Sequence, residues 1–131
     1  MATRSNIGAR QKDGTIKAVY CHWDGYPEGV GATLAEHYTD PAKVERLLDL
    51  GGFSSLGSTI EETYAGSYAQ RGEVGGEAEI YKDEDEWIAT AREGWIEFLY
   101  LFEFDEYADA YEWNFFAVSP RWVKVPSKVM A

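Results

Sequence analysis

The clearest pattern of apolar and polar positions lies in the C-terminal third of the chain, over residues 95–104 (WIEFLYLFEF). Side chains alternate there with a period of two, and both resulting faces are largely apolar. Such a run is typical of a central β-strand that is covered on both faces. The aromatic run 111–118 predicts a second strand, joined to the first by the acidic turn 105–110. A third, short strand is predicted over residues 122–125.

The N-terminal segment predicts two strands, residues 3–9 and 15–22, around the dipeptide Asp13-Gly14. Asp-Gly favours a two-residue hairpin turn because both central residues can take positive φ. Opposed residues would then have numbers that sum to 27, with Cβ atoms about 4.5–5.5 Å apart. This pairing predicts a polar cluster at the open end of the hairpin, although a shift of one residue would scatter it. The cluster would comprise Thr3, Ser5, His22 and Asp24.

Helix signals fill the middle of the chain. Asp40-Pro41 is typical of a helix start, because Asp caps the helix and Pro suits its first position. Asp83 is a second predicted cap, with Glu86 in the capping-box position. The predicted elements are helices over residues 30–38, 41–50 and 84–92, a short element near 59–65, and a strand over 77–82.

Together these elements predict an α+β fold in one domain, residues 1–131. We expect an antiparallel sheet of about five strands that starts with the N-terminal hairpin. Two or three helices would pack on one face of this sheet.

Composition supports a folded protein, since 45% of the 131 residues are hydrophobic and 15% are aromatic. A disordered chain would pair its high net charge with few aromatic residues. The single cysteine cannot form an internal disulfide, which favours a reducing compartment. No apolar run reaches the roughly 20 residues of a membrane span, and the N-terminus lacks a signal-peptide core. We therefore expect a cytoplasmic protein, with no membrane association.

The net charge of −11 is concentrated in one segment. Residues 73–112 contain 14 acidic residues against Lys82 and Arg92, a net charge of −12, whereas residues 113–131 carry three basic residues and no acid. A surface this acidic does not attract the phosphate backbone, so no direct binding to nucleic acid is expected. It is a solvated surface, a surface that mimics nucleic acid or captures a basic partner, or a divalent metal cluster. The spacing does not match a calcium loop, so no metal site is predicted. The candidate partner-binding residues are Asp83, Glu84, Asp85, Glu86, Asp105, Glu106 and Asp109.

The predicted hairpin mouth has several possible roles. Ser5, His22 and Asp24 have the residue types of a nucleophile, base and orienting acid, but no nucleophile elbow accompanies them. His22, Asp24 and Glu28, with His37, are a weak metal-ligand set. A pocket for a phosphate or carboxylate is a third possibility, with backbone N–H groups after Gly29 and Gly31 as donors. A purely structural role is the fourth. We predict no catalytic residue and no cofactor; the candidate ligand-binding residues are Arg4, Asn6, Tyr20, His22, Trp23, Asp24, Tyr26, Gly29 and Gly31.

Residues 3–8 (TRSNIG), Asp13-Gly14 and residues 20–31 (YCHWDGYPEGVG) resemble a group of small uncharacterised proteins, many of them from bacteriophages. Members begin with a Thr-Arg-Ser segment and carry an Asp-Gly-Tyr-Pro-x-Gly-x-Gly segment. The resemblance covers roughly residues 3–57 and implies no catalytic residue. It implies that the following residues belong to the shared structure: Thr3, Arg4, Asp24, Gly25, Tyr26, Pro27 and Gly29.

These observations predict a non-enzymatic, phage-type accessory protein that binds through its acidic surface. The most concrete form is an inhibitor of a host system, such as a defence system, and its partner would be a basic, nucleic-acid-handling host protein. The sequence does not predict an oligomeric state. The alternative is a protein or enzyme that binds a nucleotide or phosphorylated metabolite at the hairpin mouth.

Overall fold

Five strands form one mixed sheet in the computed structural model, which describes residues 2–73 and 76–118. Their order across the sheet is β3-β2-β1-β4-β5. The strands are β1 (Ser5–Arg10), β2 (Ile16–Cys21), β3 (Glu79–Tyr81), β4 (Phe98–Asp105) and β5 (Ala110–Ala117). The fold is therefore α+β, as predicted. The predicted strand 122–125 lies outside the described residues.

The expectation of a purely antiparallel sheet is wrong, because β1 and β4 pair in parallel. A helix, α4 (Glu84–Glu93), connects β3 to β4 and returns the chain in its original direction. Such a crossover is the usual connection between parallel strands. β4 lies between β1 and β5 and contributes buried side chains to both faces, which confirms its prediction as a central strand.

Three further α-helices precede β3: α1 (Ala32–His37), α2 (Pro41–Asp49) and α3 (Ile60–Ala65). A π-helix over Pro27–Gly31 leads directly into α1. The Asp40 side chain accepts a hydrogen bond from the N–H of Ala42, which confirms the predicted cap of α2. Asp83 caps α4 by accepting from the N–H of Glu86. The Glu86 side chain reaches the N–H of Lys82 at 3.2 Å, one residue before the capping-box position.

The helices cover both faces of the sheet, so the expectation that they share one face is also wrong. Side chains from α1 and α2 pack on one face with Ile7, Val19 and Tyr100. α4 packs on the other face through Trp87 and Ala91. We call these the α2 face and the α4 face. Gly8 lies under Trp87, where an added Cβ would stand 3.0 Å from the indole ring, so glycine permits this close helix packing.

β1 and β2 pair antiparallel, but in a different register from the predicted one. Ser5 pairs with Cys21 and Ile7 with Val19, so paired numbers sum to 26. The connection has three residues, 12–14, because the N–H of Gln11 bonds to the carbonyl of Thr15 at 2.7 Å. Gly14 takes the left-handed conformation that closes such a loop, with φ of 90°. The extra residue moves every side chain of β2 by one position relative to β1.

Candidate functional site

The loop over residues 23–29 is fastened to the strands beside it. The N–H of Gly25 donates to the carbonyl of Thr3 at 2.9 Å, and the hydroxyl of Tyr100 donates to the carbonyl of Gly25 at 2.6 Å. Burial raises the pKa of Tyr100. A Cβ at Gly25 would lie 2.7 Å from the Thr3 carbonyl oxygen and 2.8 Å from the Cβ of Ser5. Only glycine therefore fits where the loop meets the start of β1.

The polar groups of this loop bond mainly to one another. The hydroxyl of Tyr26 donates to the carboxylate of Asp24 at 3.1 Å, and this bond raises the pKa of the tyrosine. The N–H of Val30 donates to the carbonyl of Asp24, and that of Ala32 to the carbonyl of Gly29. These two N–H groups are the ones that the sequence analysis predicted as donors to an anion, and both donate to backbone carbonyls instead. The loop contains four candidate ligand residues, Trp23, Asp24, Tyr26 and Gly29, and a fifth, Gly31, follows it in the π-helix.

Side-chain partners within the fold engage Asn6, Tyr20 and His22, and Arg4 is bonded through its backbone carbonyl. The side-chain amide of Asn6 is oriented so that both its oxygen and its nitrogen have a hydrogen-bond partner. Its oxygen accepts a hydrogen bond from the indole N–H of Trp87 at 3.2 Å. The hydroxyl of Tyr20 lies 2.7 Å from Nδ1 of His22. The carbonyl of Arg4 accepts from the backbone ahead of β4. A cavity of about 240 Å³ on the α4 face borders Asn6 and Tyr20 but not the other candidates.

The predicted polar cluster at the hairpin mouth does not form. Ser5 points to the α2 face, is fully buried, and its hydroxyl has no hydrogen-bond partner among the described residues. His22 instead bonds to Tyr20, whose ring packs against the α4 face. The arrangement of Ser5, His22 and Asp24 as a catalytic triad is therefore not assembled. Cys21 is buried beside Ser5, and burial raises the pKa of its thiol to about 12.

The fold brings the two predicted acidic segments to the same end of the sheet. β1 ends at Arg10, and the parallel strand β4 continues past it to the turn that precedes β5. β3 ends beside the start of β2, so the first turn of α4 lies at this end too. We define the acidic end as residues 10–15, 82–86 and 103–112. It holds ten acidic and three basic residues.

Arg10 connects the two acidic segments on the α4 face. Its guanidinium lies 2.8 Å from the carboxylate of Glu84 at the start of α4 and 3.3 Å from that of Glu103 on β4. Glu103 lies directly opposite Glu112 on β5, which places two like charges in one cross-strand pair. Arg10 thus offsets part of the repulsion at this end and is itself engaged by two carboxylates.

The other predicted partner-binding residues differ in their local roles. Asp83 caps α4 and Asp105 accepts the N–H of Tyr107 at 2.9 Å, so both have structural contacts. Asp109 takes a left-handed conformation in the β4–β5 turn, with φ of 53°. The side chains that project from this end without such a role are Asp85 and Glu106, both exposed.

An aromatic patch on the α2 face accompanies these carboxylates. Phe104 and Tyr111 are each about half exposed, and their rings contact edge to face at 5.3 Å. Tyr111 also stacks on Phe102 with a centroid distance of 5.0 Å. Tyr107, at the tip of the turn, is fully exposed. We call these exposed rings, Phe104 and Tyr111 on the α2 face and Tyr107 at the tip of the turn, the aromatic patch.

A groove of about 680 Å³ runs beside the aromatic patch, between α2 and the loop that joins β1 to β2. Six of its lining residues are apolar or aromatic, among them Val44 of α2, Ile80 of β3, Phe102 and Tyr111. The other six are polar or charged: Arg10, Gln11, Lys12, Asp13, Thr15 and Glu45. Gln11 spans it, bonding to the carboxylate of Glu45 at 3.1 Å. The groove and the aromatic patch share Tyr111, so they form one continuous surface.

The sequence predicted the carboxylates of this end but not Arg10, the aromatic patch or the groove. The exposure of Tyr107 could have been predicted, since this aromatic residue lies inside a predicted acidic turn. Arg10 and the groove depend on the pairing of β1 with β4, which no local pattern indicates.

Comparison with protein-family models, with curated proteins and with solved structures finds no match to this chain. Among the described residues, no group of three or more His, Cys, Asp or Glu could hold a metal ion. No helix in the described part of the chain is long and apolar enough to cross a membrane.

Proposed function

We propose that this protein is a non-enzymatic accessory protein that binds a basic partner protein through its acidic end. The observation that carries the proposal is the convergence of two acidic segments, 82–86 and 103–112, at one end of the sheet. Concentrated charge of one sign raises the rate of encounter with a partner of opposite sign. Arg10, a cation of this end, pairs with two of its carboxylates, those of Glu84 and Glu103.

The resemblance of residues 3–31 to small phage proteins supports a host protein as the partner. A host protein that handles nucleic acid carries the basic surface that such an acidic end requires. Inhibition of a host defence system is the form of the proposal that combines both arguments. It involves no metal, no cofactor and no direct contact with nucleic acid.

The test is a pull-down from bacterial lysate with a pair of charge-reversed variants. Reversal of Asp83 or Glu84 would disturb a helix cap or an ion pair, so the sharper variant is Asp85→Lys with Glu106→Lys. The matched control is Glu36→Lys with Glu93→Lys, which changes the net charge equally at exposed sites outside the acidic end. We expect the first variant to lose basic partners and the control to keep them.

Two results would contradict the proposal. One is equal capture by the acidic-end variant and by the control. The other is capture that does not weaken as ionic strength rises, since attraction between exposed charges is screened by salt.

A further inference from the structure

The groove and the aromatic patch are suited to a partner that offers apolar and aromatic-binding groups as well as positive charge. A surface that attracted a partner by charge alone would need no apolar depression beside its carboxylates. Here a groove of about 680 Å³ opens next to Tyr111, and its floor includes Val44 and Phe102. Its volume falls in the range of sites that bury a small ligand or several side chains.

The aromatic patch determines which cation fits best. Tyr107 is fully exposed at the tip of the β4–β5 turn; Glu106 precedes it, and Asp109 follows two positions later. A guanidinium group stacks on an aromatic face and bonds to a carboxylate with its edge at the same time. The lysine ammonium is a compact, strongly hydrated charge and gains less from such a surface.

Charge complementarity sets the rest of the partner's chemistry. The acidic end carries ten acidic and three basic residues, so an acidic or neutral segment would gain little there. An extended segment can place one apolar side chain in the groove while its neighbours lie over the carboxylates and the aromatic patch. Most of its affinity would come from the buried apolar anchor, and most of its orientation from the charges.

We propose that the groove and the aromatic patch dock an extended, arginine-containing segment of the partner protein, with an apolar side chain of that segment in the groove. This inference rests on the proposed function and names the chemistry of its partner.

The probe is a fluorescein-labelled peptide with one leucine between two pairs of arginines, titrated with the full chain and followed by fluorescence anisotropy at low ionic strength. Two control peptides replace the leucine by serine or every arginine by lysine. We expect the leucine peptide to bind about tenfold more tightly than the serine peptide. The arginine peptide should bind about threefold more tightly than the lysine peptide.

Protein variants locate the binding. Ile80→Ser changes an exposed groove residue and should reduce the advantage of leucine over serine. Tyr107→Ser changes the exposed tip and should reduce the advantage of arginine over lysine. Tyr64→Ser, at a half-exposed aromatic site on α3, is the control and should change neither.

The outcomes separate this inference from the proposed function. Equal binding of the leucine and serine peptides would overturn the inference and leave charge-driven binding standing. If a second copy of the chain, or another of its own segments, already fills the groove, the leucine and serine peptides will also bind equally. That result overturns the inference too. Binding of none of the peptides would overturn both.

Discussion

Replacement of Gly25 by alanine tests whether the Asp-Gly-Tyr-Pro loop braces the fold. The added Cβ would lie 2.7 Å from the carbonyl oxygen of Thr3, 2.8 Å from the Cβ of Ser5 and 3.0 Å from its hydroxyl. Ordinary contacts begin near 3.4 Å, so the loop must move by about 0.7 Å. The atoms in the way belong to backbone and to a fully buried side chain, neither of which can turn aside.

The movement has two energetic consequences. Overpacking of a tight site costs about 1–3 kcal/mol. The displaced atoms also make the bond from the N–H of Gly25 to Thr3 and the bond from Tyr100 to the carbonyl of Gly25. Weakening one such buried bond costs about 1 kcal/mol. We therefore expect Gly25→Ala to lower the free energy of unfolding by about 2–3 kcal/mol.

Urea denaturation and thermal unfolding, both followed by tryptophan fluorescence, measure the effect. For a chain of this size the expected fall in Tm is about 6–12 °C. Gly66→Ala is the matched control, because its nearest neighbour would be 3.8 Å from the new Cβ and its φ is negative. If the Gly25→Ala protein is as stable as the Gly66→Ala protein, the loop does not brace the fold. The loop is then again a candidate ligand site.

Three further predictions concern other strained or buried groups. Trp95, the second residue after α4, has a left-handed φ of 62° and is 76% exposed. Trp95→Gly should therefore raise the free energy of unfolding by about 0.5–1 kcal/mol in urea titrations, and a loss of stability would contradict this. Ser5→Ala should leave the free energy of unfolding unchanged or raise it, because a buried hydroxyl without a hydrogen-bond partner opposes folding; a loss above about 1 kcal/mol would contradict this. The Cys21 thiol has a pKa of about 8.5 in the unfolded chain and of about 12 in the folded protein, so the unfolded state loses its proton first as the pH rises. The urea concentration at the unfolding midpoint should therefore fall as the pH rises from about 8.5 to 10, and it should fall less steeply in Cys21→Ala. An equal fall in both proteins would count against burial of the thiol as the cause.

Local chemistry predicted the elements that depend on nearby residues. The caps at Asp40 and Asp83 bond as expected, since a cap requires only a side chain and an N–H two or three residues ahead. The run 95–104 predicted a central strand because a strand buried on both faces has apolar side chains on both faces. In both cases the information lies within one element.

Long-range pairing could not be obtained in the same way. Asp13-Gly14 is compatible with both a two-residue and a three-residue connection, and the fold uses the latter, with Gly14 alone in a left-handed conformation. The difference of one residue separates Ser5 from His22 and removes the predicted cluster. The parallel pairing of β1 with β4 joins residues more than 90 positions apart, which no local pattern specifies.

That same pairing changes the meaning of the acidic segment. In the sequence, 14 carboxylates over 40 positions are compatible with a solvated surface spread around the molecule. In the fold, the crossover through α4 requires the start of α4 and the β4–β5 turn to lie at one end, so the charge is concentrated. Concentration of like charge opposes folding. A basic segment bound at this end would relieve the repulsion, so the energy that opposes folding there would favour binding.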